Sequence, residues 1–183
     1  MKRYCLVVMF LIMAQSASAT EYLGLNLGVA TKDAVAQKLK SENASFQDNL
    51  GYRGYTNLPM FRVSSYEKFS KLGTVKDALL TFTSKGLLYS IYITYSGAGE
   101  NAKVIKDALD AKYGVTANKG SGFTESYIYV NGETGISLKI DTFDKITTLI
   151  YFWTPFYAEF LEAKDLVDAD IKKKNAQKVG SDL

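Results

Sequence analysis

A chain of 183 residues with 47% hydrophobic and 13% aromatic content is long enough to fill the core of one domain. It has no histidine and a single cysteine, Cys5, which excludes Ser-His and Cys-His nucleophile pairs, ordinary zinc centres, and haem or iron–sulfur ligation. Net charge is only +3, and Arg53 and Arg62 are the sole arginines after Arg3, so the composition argues against a nucleic-acid partner.

Residues 1–19 have the three parts of a cleavable export signal. Lys2 and Arg3 open it, residues 5–13 are uniformly apolar, and Ala17-Ser18-Ala19 places small residues before a cut at Thr20. The apolar run is shorter than the ~20 residues a membrane span needs. Cleavage removes Cys5 as well, so the mature chain must be held together by its core and not by disulfides. That pattern suits a periplasmic or extracellular protein of a bacterial envelope.

One strand is expected over 20–27, ended by Gly28. Thr31 is a good N-cap, and Val35 and Leu39 recur four apart, predicting a helix over 32–41. Residues 43–57 are polar and carry Gly51 and Gly54, which reads as a loop with room for one irregular strand. Residues 58–63 form a strand that Pro59 places at an edge. Residues 75–83 and 87–95 flank Ser84-Lys85-Gly86 and form a hairpin. Gly97-Ala98-Gly99 punctuates the chain. It has no Walker lysine and no βαβ context, so it is no phosphate loop. A helix follows over 100–113, stopped by Gly114.

Strands over 123–130, 135–141 and 146–153 make a meander, the first two joined through Asn131-Gly132. Thr154 and Pro155 then start a last helix with an apolar stripe of Phe156, Phe160, Ala163 and Val167, and Lys172–Lys174 suits its C-terminal end. The sum is an α+β domain over 20–176, mainly antiparallel sheet with helices on one face, and a flexible tail over 177–183. The order helix-then-three-strands occurs twice, over 31–95 and 100–153.

The segments Leu25-Asn26-Leu27-Gly28 with Leu39, and Lys112-Tyr113-Gly114, together with this element order, resemble the fold group of the β-lactamase inhibitor protein and the small outer-membrane assembly lipoprotein. The resemblance covers most of residues 20–153 and implies inhibitor-like or immunity-like action. The chain departs from both families, lacking the lipidation cysteine of one and the disulfides of the other.

What chemistry remains is carboxylate, lysine, tyrosine and serine. Glu125 with Glu133, and Asp141 with Asp144, could be read as glycosidase pairs, but turn acids in solvent explain them as well. Asp165, Asp168 and Asp170 lie on one helix, not on the glycine-bearing loop a calcium site needs, and Asp168 suits an ion pair with Lys172. Neither an enzyme nor a cofactor is expected.

Strand alternation points to one surface. Placing Leu87, Tyr89, Ile91, Ile93 and Tyr95 inward, with Ile128, Val130, Ile136, Leu138, Ile140, Ile146, Ile150 and Phe152, sends another set outward. That set is Tyr92, Tyr127, Tyr129, Lys139, Leu149, Tyr151 and Trp153. Tyrosine and tryptophan dominate interface hot spots. The face would hold a protein or peptide, or a small apolar or sugar ligand, or a second copy of the chain; alternatively the last helix folds over it and makes it a second core.

Overall fold

The computed structural model describes residues 20–48 and 58–181; the expected export signal, Arg53 with its glycine-bearing loop, and the last two residues lie outside the described residues. The fold class is α+β, built on an eight-stranded antiparallel sheet.

The N-terminal segment is not one strand but a small ribbon, β1 (Glu21–Tyr22) and β2 (Leu25–Asn26). Leu23 and Gly24 both take positive φ, 51° and 86°, which folds the chain back in two residues. Next comes α1 (Lys32–Ser41), where the Thr31 hydroxyl accepts a hydrogen bond from the Ala34 N–H at 3.2 Å and Val35 and Leu39 are buried. The chain continues as β3 (Ser45–Gln47), β4 (Met60–Ser65), the single turn α2 (Glu67–Ser70), β5 (Val75–Phe82) and β6 (Leu88–Ser96). The second half runs α3 (Glu100–Tyr113), β7 (Ala117–Ser121), β8 (Thr124–Asn131), β9 (Thr134–Asp141) and β10 (Ile146–Trp153).

The spatial order is β3-β4-β5-β6-β10-β9-β8-β7. Each half is therefore one long helix followed by four strands, one more than expected, and the halves meet where their last strands pair, Ile93 opposite Leu149. β4 is interior, not an edge. Pro59 sits just before it and its carbonyl accepts from Phe82 N at 2.9 Å, so the missing N–H interrupts no ladder bond.

Helices α1 and α3 and the β1–β2 ribbon cover one face. Beneath them lie Phe61, Val63, Leu80, Ile91, Ile93, Tyr95, Ile136, Leu138 and Leu149, all buried, in one cluster with Ala102, Ile105 and Leu109 of α3. Tyr22 of the ribbon packs on Tyr151 at 4.8 Å between ring centres.

Among the described residues the other face is covered at one end. Phe82 pairs with Leu88 and Thr81 with Ser90, so Tyr89 is the extra residue of a bulge and turns away from the core side. There it meets Phe156 and Phe160, each ring 5.0 Å away. A 3-10 turn, Thr154–Phe156, leads into α4 (Tyr157–Ser181). Thr154 does not cap the helix; its hydroxyl donates to the Glu133 carbonyl at 2.8 Å. The expected stripe holds, with Phe156 and Val167 buried and Phe160 and Ala163 partly so. The tail expected from 177 is helical to Ser181.

Candidate binding groove

The expected aromatic face does not form. Hairpin pairing places Tyr127 opposite Leu138, Tyr129 opposite Ile136, Leu149 opposite Leu138 and Tyr151 opposite Ile136. Directly opposed residues share a face, so all four side chains lie with the aliphatic filling under the helices. Tyr129 and Leu149 are wholly inaccessible, and Tyr127 and Tyr151 nearly so.

The tyrosine hydroxyls find partners at the edge of this core. Tyr129 donates to Asp110 Oδ1 at 2.7 Å and Tyr127 to Glu125 Oε2 at 2.5 Å. Lys106 lies 4.7 Å over the Tyr127 ring and is 2.6 Å from Asp110. α3 is thereby latched to β8. Burial, reinforced by Asp110, pushes the Tyr129 phenol well above its ordinary range, while the Lys106 and Tyr129 hydrogen bonds hold the Asp110 carboxyl below its own.

Trp153 is not on an open sheet face either. Its ring stacks against Gly28, where a Cβ would come within 2.7 Å, and its Nε1 donates to Glu133 Oε2 at 3.2 Å. Of the expected set only Tyr92 and Lys139 project from the side opposite the helices, and they sit among neighbours that the sequence pattern had assigned to the core.

Those neighbours build a groove of 490 Å3 between the open sheet face and the start of α4. Its floor runs across the sheet through Leu79, Tyr92, Ile150, Ser137 and Ile128, one register row. Met60, Thr81, Ser90 and Phe152 form the next row, and Tyr89, Tyr157 and Phe160 wall one end. Gly135 is essential to the shape: Phe152 is paired with it and its ring occupies the space a Cβ would fill. The volume falls within the roughly 300–1,000 Å3 of small-molecule pockets, and the lining is mainly apolar with a few hydroxyls and one carboxylate, Asp77.

Beyond the floor lies a polar row of Asp77, Thr94, Thr148, Lys139 and Ser126. Arg62 Nε donates to Asp77 Oδ1 at 2.7 Å, and the Thr94 hydroxyl to the Tyr92 oxygen at 3.3 Å.

The carboxylates offer no paired site. Glu125 and Glu133 stand at opposite ends of the β8–β9 hairpin and are engaged by Tyr127 and Trp153. Asp141 accepts from the N–H groups of Phe143 and Asp144 in its own turn. Asp168 pairs with Lys164 at 2.6 Å rather than with Lys172, and Asp170 with Lys174 at 2.7 Å. Among the described residues no group of three or more carboxylates is placed to hold a metal, and no helix is long and apolar enough to cross a membrane.

A separate feature stands at the far end of β8–β10. Phe123 and Phe143, 67% and 75% exposed, project from two adjacent turns with rings 5.9 Å apart. Thr142 N donates to the Phe123 carbonyl at 2.8 Å, tying the turns together. Sequence alternation could not find this pair: Phe143 lies in a turn, and Phe123, expected to begin the strand over 123–130, lies in the turn before β8.

Comparison with protein-family models, with curated proteins and with solved structures gives no match for this chain.

Proposed function

We propose that this chain is an exported, non-catalytic binding protein that holds a small apolar ligand in the groove between the open sheet face and α4. The groove carries the proposal: a mainly apolar floor on paired strands, open among the described residues where the opposite face is fully packed. Export is supported by the three-part signal of residues 1–19. Titrating the mature protein with the neutral probe N-phenyl-1-naphthylamine should give saturable fluorescence enhancement. Ser137→Trp, which fills the floor between Ile128 and Ile150 without touching the helix-covered core, should abolish the enhancement and leave the fold intact. Enhancement unchanged in that variant would remove the groove as the site.

A second reading, contact with a partner protein of the inhibitor or immunity kind, is favoured by the Phe123–Phe143 pair. Two apolar rings held outward by hydrogen-bonded turns make a preorganised anchor.

A further inference from the structure

Resting on the groove as the ligand site, we propose that its ligand is a single-chain amphiphile with an anionic head. The apolar chain would lie along Tyr92, Ile150 and Phe152 toward Phe160, and the head would sit on the polar row at Thr94, Thr148 and Lys139.

Three observations carry this. First, the groove is graded: one end is closed by the rings of Tyr89 and Phe160, and the other stops at Asp77, whose carboxylate is bonded to Arg62, with Thr94, Thr148 and Lys139 following in the same register row just outside the lining. An amphiphile would match both the apolar floor and the charged border beyond it.

Second, the charges on this face are unevenly committed. Five groups share it: Arg62, Asp77, Lys119, Lys139 and Asp141. Asp77 is bonded to Arg62, and both oxygens of Asp141 are taken, one by the Phe143 and Asp144 N–H groups and one by the Thr124 hydroxyl. Those bonds, led by the Asp144 N–H, hold the Asp141 carboxyl below its usual range. Lys139 also acts on Asp141 through space, but neither it nor Lys119 forms an ion pair among the described residues, and both are exposed, so this side of the face carries two cations not held in direct contact with an acid.

Third, Lys139 is within reach of the seat. It is paired directly with Thr148, itself paired with Thr94, so ammonium and hydroxyl stand one strand spacing, about 4.8 Å, apart at the backbone. An anion beside Lys139 gains a charge-assisted hydrogen bond from its ammonium group, the Thr94 hydroxyl being already donated to Tyr92.

The test is displacement of bound N-phenyl-1-naphthylamine by dodecanoate, dodecyl phosphate, dodecanol and dodecylammonium, all below their micelle concentrations. Dodecanoate or dodecyl phosphate should displace the probe at about tenfold lower concentration than dodecanol, and the order of the two anions separates a fatty acid from a phospholipid fragment. Lys139→Gln should remove most of the lead of both anions, the double variant with Lys119→Gln should bring them to the dodecanol level, and neither should change dodecanol; Lys139→Arg should keep the preference, and added salt should weaken it. Equal displacement by dodecanoate, dodecyl phosphate and dodecanol, or a lead for dodecylammonium, overturns the head-group assignment while the groove stands. A probe that never binds overturns the groove and the assignment with it.

Discussion

Truncating Tyr129 separates a core tyrosine from a surface one by a wide margin. The ring is 0% exposed and its hydroxyl donates to Asp110 Oδ1 at 2.7 Å. Replacing a fully buried aromatic ring by alanine costs about 3–5 kcal/mol, transfer and cavity together. Tyr129→Phe keeps the ring and removes only the hydrogen bond. Bonds to charged groups contribute about 1.5–3 kcal/mol, but the Asp110 side chain is 31% exposed, so water partly replaces the lost donor and a loss of roughly 1 kcal/mol is expected. For a chain of this size each kcal/mol moves Tm by about 2–4 °C, which makes the alanine drop roughly 6–20 °C. Urea unfolding followed by far-ultraviolet circular dichroism measures both, with an unchanged slope as the check on two-state behaviour. A surface tyrosine would give less than about 0.5 kcal/mol in either variant. An alanine effect below about 1 kcal/mol would therefore refute the placement of β8 and, with it, the assignment of the open face.

Acid sensitivity follows from three carboxyl groups. Glu42, held chiefly by Lys68 and by the Tyr66 hydroxyl, Asp110 and Asp141 are all depressed below ordinary values of 4.5 for Glu and 3.8 for Asp. A depressed carboxyl contributes stability above its unfolded value and loses it as pH falls through the folded one. With no histidine to titrate, the urea midpoint should be the same at pH 7 and pH 5 and lower at pH 3, and Glu42→Gln should shrink that fall; a midpoint that already drops between pH 7 and 5 contradicts this. Replacing both Phe123 and Phe143 by serine should leave the midpoint within about 0.5 kcal/mol, since both rings are mainly in solvent, while a protein partner that uses the tip should be lost. A partner retained by the double variant excludes the tip.

Much of the backbone was legible. The bounds of α1, α3 and β10 follow directly from a capping threonine, a stopping glycine and apolar spacing. The missed strands have physical reasons. β7 is an edge strand whose five residues are all exposed, so it shows no alternation, and β3, only three residues long, reads from the sequence as no more than one irregular strand within the loop over 43–57. The site was misread because both faces of the central strands are apolar. β10 offers Leu149 and Tyr151 on one side and Ile150 and Phe152 on the other, and aliphatic character alone chose the wrong side. Turn geometry would have chosen correctly: a two-residue Gly132-Glu133 turn pairs Asn131 with Thr134 and so sets Tyr129 opposite Ile136. Alternation sends Tyr127 and Tyr129 outward in favour of aliphatic neighbours, yet both keep a hydroxyl partner while buried, as does Tyr95, which it places inward. The bulge at Tyr89 has no sequence mark at all.

The seam between the two halves also governs how the chain can come together. Strand β6 is nine residues long, and its partner β10 is made only after α3 and three further strands have been synthesised. Until then the first half displays Ile91, Ile93 and their backbone donors along an unpaired border, the kind of edge that invites association with other chains. A nascent or truncated first half is therefore expected to be a sticky, chaperone-dependent fragment. Two copies could satisfy that border reciprocally by exchanging their second halves about the Gly97–Gly99 connection, an intertwined dimer with the same contacts as the monomer.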